Sequence, residues 1–247
     1  MVSMQKDQHP GFASCGGSII DYDWVLTAAH CVFDYNTETV RQFVGESVVA
    51  GTSWLNATAG TPGMQRIAIE RGYIHPEFTG KTLDHDVGLL KLKTQFKYDA
   101  HVHPIMLWRA RMPAGIDVNM IGWGNIYVVP KEQRVQPMQL RGFIGQMVPE
   151  EECRKLNTMT HAACFDGGKK HSGVCNGDSG SPISTYAPAI NKQSYYVQVS
   201  LVSTGNGPKD GTGNCGKDET TWTFGPEIAM YCDWIGKVTG KKLCLSK

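Results

Sequence analysis

The chain has 247 residues, with 24 Lys and Arg against 23 Asp and Glu, so its formal net charge at neutral pH is +1. That length suits one large all-β unit or two small domains, and either can bury a sizeable core. The balanced charge, free of like-charge blocks, gives no electrostatic ground for nucleic acid or an anionic membrane as partner, and no apolar run approaches a membrane span.

The opening Met1-Val2-Ser3-Met4-Gln5-Lys6-Asp7 has no apolar signal core. Either a leader has been removed, or the sequence begins partway into a longer protein. Gly16 to Ile20 then leads through Asp21-Tyr22-Asp23 to Trp24-Val25-Leu26-Thr27, which predicts two strands joined by a turn. Asn56-Ala57-Thr58 is a glycosylation sequon at Asn56. Gly51 to Gly63 is short and lacks the clustered acids of a calcium loop.

Asp86 to Leu92 reads as a strand. The pair His101-x-His103 offers two imidazoles without a third ligand, and reads as surface. Arg109 to Gly115 looks like a linker between two halves, 1–110 and 111–247. Val118 to Gly122 and Tyr195 to Ser203 are further strands, the latter alternating apolar Val197, Val199 and Leu201 with polar neighbours. From Glu227, apolar residues at Ile228, Tyr231, Cys232, Ile235 and Val238 fall on one helical face. Pro226 marks the start and Gly240 the end, which predicts a helix over about 227–239. Many short strands punctuated by 28 glycines and 12 prolines suggest barrels or sandwiches rather than alternating βαβ units.

Eight cysteines are an even count, and none lies in a C-x-x-C pair, so disulfides fit better than a zinc site. Disulfides and the sequon both fit a secreted, extracellular glycoprotein.

Ser179 lies in Cys175-Asn176-Gly177-Asp178-Ser179-Gly180. Read alone it is either a nucleophile or a hydroxyl in a glycine-rich turn. A serine hydroxyl is a poor nucleophile at neutral pH unless a base is held against it. Thr27-Ala28-Ala29-His30-Cys31 supplies a histidine at the end of an apolar strand. Asp86 places a carboxylate where a strand enters the core, and an imidazole N–H would satisfy it. Leu83-Asp84-His85-Asp86 offers two carboxylates; the following Leu89-Leu90 register favours Asp86, which leaves Asp84 and His85 as solvated loop residues.

Taken in the order His, Asp, Ser, these three motifs resemble those of the chymotrypsin-fold (trypsin-like) serine proteases. Cys15-Gly16-Gly17-Ser18-Ile19-Ile20, Gly122-Trp123-Gly124 and Ser203-Thr204-Gly205 extend the resemblance over nearly the whole chain. It implies an all-β fold of two six-stranded Greek-key antiparallel β-barrels with a C-terminal α-helix, His30 and Asp86 on the first and Ser179 on the second. It implies that Ser179 attacks a peptide carbonyl, that His30 is its base, and that Asp86 orients His30 with Ser203 behind it. The amides of Gly177 and Ser179 would form the oxyanion hole.

The resemblance also implies disulfides Cys15–Cys31, Cys153–Cys164 and Cys175–Cys215, leaving Cys232 and Cys244. An unbroken helix between those two would part them by about 18 Å, so either the chain turns back after Gly240 or they do not pair. Gly173 and Val174 fall at the base of the specificity pocket, with Ser203, Gly205 and Thr220 around it. No acid stands at the base, so apolar or aromatic side chains are expected. Asp218 or Glu219 could instead line the wall, because Asn206 to Asn214 is a long stretch for this family. Protein or peptide substrates and protein protease inhibitors are the implied partners of a monomer, with no cofactor, metal, nucleic acid or membrane.

One departure matters. Family members place an activating Ile-Val-Gly-Gly amine beside the aspartate that precedes the serine, here Asp178, and no such tetrapeptide occurs. Two functions stay open: an active secreted endopeptidase, or a zymogen-like, non-catalytic homologue that binds or regulates.

Overall fold

The structure, a computed structural model, describes residues 1–128, 133–167, 172–187, 194–205 and 221–245. Six strands close a barrel: β1 (Val2–Lys6), β2 (Cys15–Asp21), β3 (Trp24–Thr27), β4 (Glu46–Ala50), β5 (Gln65–Ile74) and β6 (Gly88–Leu92), in the order β1-β2-β3-β6-β5-β4. Every neighbouring pair is antiparallel. Val2, Met4, Val25, Leu26, Val48, Leu89 and Leu90 fill its interior with less than one per cent exposure. Closure leaves no unpaired edge on these short apolar strands.

The main sheet of the second half, which also carries a two-stranded ribbon of Ile126–Val128 and Gln133–Val135, is built of β7 (Met106–Trp108), β8 (Asp117–Gly122), β9 (Arg141–Met147), β10 (Ala162–Asp166), β11 (Pro182–Tyr186), β12 (Tyr196–Leu201), β13 (Thr204–Gly205), β14 (Trp222–Pro226) and β15 (Cys244–Leu245). Its order is β13-β14-β10-β9-β8-β11-β12-β7-β15. An antiparallel bridge between Ser200 and Glu227 brings β12 back to the end of β14, so the six strands from β14 to β12 curl round on themselves. Ser200 Oγ donates to Pro226 O across that seam at 2.9 Å. β7 and β15 extend the sheet by parallel pairing beyond β12.

Helix is scarce. α1 (Glu150–Leu156) was not visible in the apolar periodicity because it buries only Cys153; Glu150 to Glu152 in its first turn and Arg154 and Lys155 in its last suit the helix dipole. The C-terminal element starts as a 3-10 turn, Ile228–Tyr231, and becomes α-helical only over α2 (Cys232–Thr239). A tight first turn is common where a helix begins against a core, and Ile228 is fully buried there. Gly240 ends α2 in the left-handed region, with φ 72° and its N–H on Gly236 O. The chain turns back at that point, which carries Cys244 to a Cα separation of 6.0 Å from Cys232, with which it is disulfide-bonded. Cys15–Cys31 and Cys153–Cys164 are also bonded. Cys175 is in a disulfide, and Cys215 lies outside the described residues.

The two halves meet through polar contacts set in apolar packing. Ser18 Oγ on β2 donates to Gln198 Oε1 on β12 at 2.6 Å, with both residues at most 1% exposed. Ala13 and Gln136 exchange two hydrogen bonds of 2.9 Å. Leu201, Ile228, Tyr231 and Ile235 join the core of the first barrel. Removing one partner of a buried hydrogen bond strands the other, at a cost of about 1–3 kcal/mol. Ser18→Ala is therefore expected to lower the melting temperature by roughly 2–10 °C. Calorimetry showing an unchanged transition would mean that this contact does not join the halves.

Candidate active site

β3 ends at Thr27, and the 3-10 turn Ala29–Cys31 that follows carries His30. The Cys15–Cys31 disulfide ties that turn back to β2. Asp86 precedes β6 by two residues and is fully buried. The tight turn before it sets His85 at φ 55°, with the Val87 amide donating to His85 O at 2.6 Å.

Three donors converge on the Asp86 carboxylate. The His30 amide reaches Oδ1 at 2.8 Å, His30 Nδ1 lies 2.7 Å from Oδ2, and Ser203 Oγ donates to Oδ2 at 2.5 Å. An ionised carboxylate accepts only, so the proton sits on His30 Nδ1 and Nε2 keeps its lone pair. Burial of His30 works to lower its pKa, but the charge of Asp86 and its hydrogen bond outweigh that and hold it above the usual imidazole value.

The loop carrying Ser179 lies backbone to backbone against this unit. The Gly16 amide donates to Ser179 O at 2.8 Å, and the Gly180 amide to Val202 O at 2.7 Å. A side chain at residue 180 would place its Cβ 2.1 Å from Thr27 Oγ1 and 2.5 Å from Gly16 O, at φ 79°. Only glycine allows such an approach to the strand that leads into His30. Ser179 is half-buried, and among the described residues the His30 ring bonds to Asp86 alone. Gly177 has φ 100°, and the Gly177 and Ser179 amides donate to no acceptor among the described residues. Two unengaged amides, one on each side of Asp178, are what a developing oxyanion needs.

Asp178 points the other way. Its Oδ1 accepts the Gly124 amide at 2.7 Å and its Oδ2 the Cys175 amide at 2.9 Å. Burial pushes its pKa up to about 6, although the two amides act to lower it. Among the described residues no cation forms an ion pair with it.

Around Ser179, Val174 is buried and Gly173 half-buried. A Cβ on Gly173 would lie 3.1 Å from Thr221, and one on Gly205 would lie 2.9 Å from Val174 Cγ2. Thr221, which the sequence did not single out, thus packs beside Gly173. Gly205 pairs with Thr223 on β14. Ser203 is committed to Asp86. Thr220, Asp218, Glu219 and the stretch from Asn206 to Asn214 lie outside the described residues.

Asp84 and His85 are not the solvated pair that the sequence suggested. Asp84 accepts the Thr160 amide at 2.5 Å and the Thr82 hydroxyl at 2.7 Å, so a loop of the second half covers it. His85 stacks on His75. His101 and His103 are exposed, as is Asn56.

Asp178 gives a stability prediction with a definite sign. Its folded pKa is raised, so the folded state holds the proton more tightly than the unfolded chain does. The stabilisation is complete below the ordinary carboxylate value of about 3.9 and is lost as pH rises through about 6, an effect on the order of 3 kcal/mol. Denaturant titrations from pH 4 to pH 7 should show this loss in the 247-residue chain and not in Asp178→Asn. Parallel curves for the two proteins would contradict the burial argument.

The family model for Trypsin matches residues 1–235. Serine protease SP24D of Anopheles gambiae is 36% identical over 170 residues, 68% of this chain and 57% of that protein. Protein masquerade of Drosophila melanogaster is 30% identical over 234 residues, 91% of this chain but 20% of that protein. Anionic trypsin of Bos taurus is 29% identical over 240 residues, 95% of this chain and 83% of that protein. The chain spans less than two thirds of the length of the first two of these relatives. With a family match that runs from the first strand into the C-terminal helix, over a closed barrel and a curled sheet, this chain belongs to the trypsin family of serine proteases.

Proposed function

We propose that the chain is a secreted serine endopeptidase that works through an acyl-enzyme on Ser179. The observation that carries this reading is the buried Asp86 carboxylate, which fixes His30 from its Nδ1 side while the Ser179 loop is clamped beside it. Ser179 Oγ attacks the scissile carbonyl and His30 Nε2 takes its proton. The imidazolium then gives that proton to the leaving amine, and water repeats the cycle on the ester. Asp86 keeps its charge throughout and stabilises the imidazolium. The Gly177 and Ser179 amides receive the oxyanion. Three disulfide pairs among the described residues, a further disulfide at Cys175 and the exposed sequon at Asn56 support an extracellular setting.

A fluorophosphonate probe tests this directly. It should add once, on Ser179, and not at all to Ser179→Ala. The labelling rate should fall as pH drops through a pKa above the ordinary imidazole value of about 6.5, because a protonated imidazole accepts nothing. Folded chain that takes up no probe sinks the reading. The alternative, a non-catalytic homologue that binds or regulates, then holds; the observation favouring it is Asp178, half-buried, bonded to two amides and without a cation among the described residues.

The pocket reading is tested separately. Gly173, Val174 and Thr221 present no carboxylate, so substrates with Phe or Leu before the scissile bond should exceed Arg substrates by at least ~10-fold in kcat/KM, about 1.4 kcal/mol. Faster cleavage after Arg would place Asp218 or Glu219 on the pocket wall.

A further inference from the structure

Away from Ser179, three metal-ligating side chains converge where β5 runs out and the loop returns to β6. The ligand atoms of His75, Glu77 and His85 all lie within 4.8 Å of one another. Glu77 Oε2 is 3.9 Å from His75 Nδ1 and 3.9 Å from His85 Nε2. Ligands 2.0–2.1 Å from a tetrahedral metal are separated by about 3.4 Å, so each Glu77–imidazole separation needs to close by only about half an ångström. The imidazoles are stacked, with ring centroids 5.0 Å apart and planes 11° apart. Their side chains are 12% and 15% exposed and Glu77 is 68% exposed, which gives a cleft with one open side.

From this geometry we propose that His75, Glu77 and His85 form a binding site for a divalent transition cation such as zinc. Two imidazoles and a carboxylate are the donor set that borderline cations take, and three protein ligands leave a further position for water. A second contact orients the set. Tyr231 Oη lies 3.4 Å from His85 Nδ1. If His85 Nδ1–H donates to that hydroxyl, the Nε2 lone pair faces Glu77, as a ligating histidine requires. The His75 ring is gripped by the edges of Tyr231 and Trp234 at 5.3 Å. Glu77 has no ion-pair partner among the described residues other than these two imidazoles. One of the three ligands, His85, is the residue before Asp86.

The site is tested on the full disulfide-bonded chain, stripped with a chelator and titrated with Co²⁺. The d–d absorption should saturate at one equivalent and be displaced by Zn²⁺, which binds more tightly in the divalent series. Glu77→Gln, at an exposed position, should weaken Co²⁺ by at least ~10-fold, and Tyr231→Phe by about 10–100-fold, the usual effect of losing a group that orients a ligand. His75→Gln should abolish saturable binding without changing Ser179 labelling. No saturable binding by the parent chain overturns the site, and so does parent-like affinity in both Glu77→Gln and His75→Gln. Should His75→Gln fail to fold, Glu77→Gln alone decides. Metal uptake is read without any substrate, so failure here leaves the proposed hydrolysis untouched.

Discussion

The fully buried carboxylate of Asp86 is the constraint on which the rest of the site depends. An isolated ionised group in a protein interior costs several kcal/mol unless donors replace its lost water. Asp86 gets two donors from His30, 56 positions upstream, and one from Ser203, 117 positions downstream. Those donors belong to different halves of the molecule. The charge therefore binds the halves together as it fixes the base, and neither half alone could meet its hydrogen-bonding demand.

The glycines do complementary work. Hydrogen bonds can place a side chain to a few tenths of an ångström only if the backbones that carry it can approach closely. Gly180 lies against Thr27 and Gly16, at a distance that no Cβ could share. The Asp178 carboxylate uses the same kind of space beside Gly122 and Gly124. Asp86 and Asp178 thus have opposite surroundings. Asp86 is held by donors on the His30 side, while Asp178 is buried against two amides and has its proton affinity raised.

Much of this was legible in the sequence, because short motifs encode short-range geometry. Strand β3 and its exit into His30, the strand before Ser203, and the glycines flanking Ser179 are all local patterns. What escaped was set by tertiary contact. α1 buries a single cysteine, so it carries no apolar stripe to read. The first turn of the C-terminal element is 3-10 where Ile228 and Tyr231 are buried in the core, a packing that the apolar spacing alone does not show. Asp84 looked solvated because Thr160, which covers it, lies 76 positions away. Thr221 meets Gly173 only because the chain entering β14 lies against the loop before Ser179. The metal-ligating trio was hidden for the same reason: His75 and His85 are ten positions apart in the chain and become neighbours only when the loop folds back.

The long separations also fix the order in which the site can come into being. A chain emerging from the ribosome presents His30 and Asp86 first, and their mutual hydrogen bonds can form within the first barrel. Ser179 and Ser203 arrive later, and the Gly16 to Ser179 contact closes one of the longest loops in the molecule. Closing such a loop is entropically costly until the second half has collapsed, and topologies rich in distant contacts fold slowly. The nucleophile therefore reaches the base only after the base has met its carboxylate, and a nascent or half-folded chain holds Ser179 apart from both.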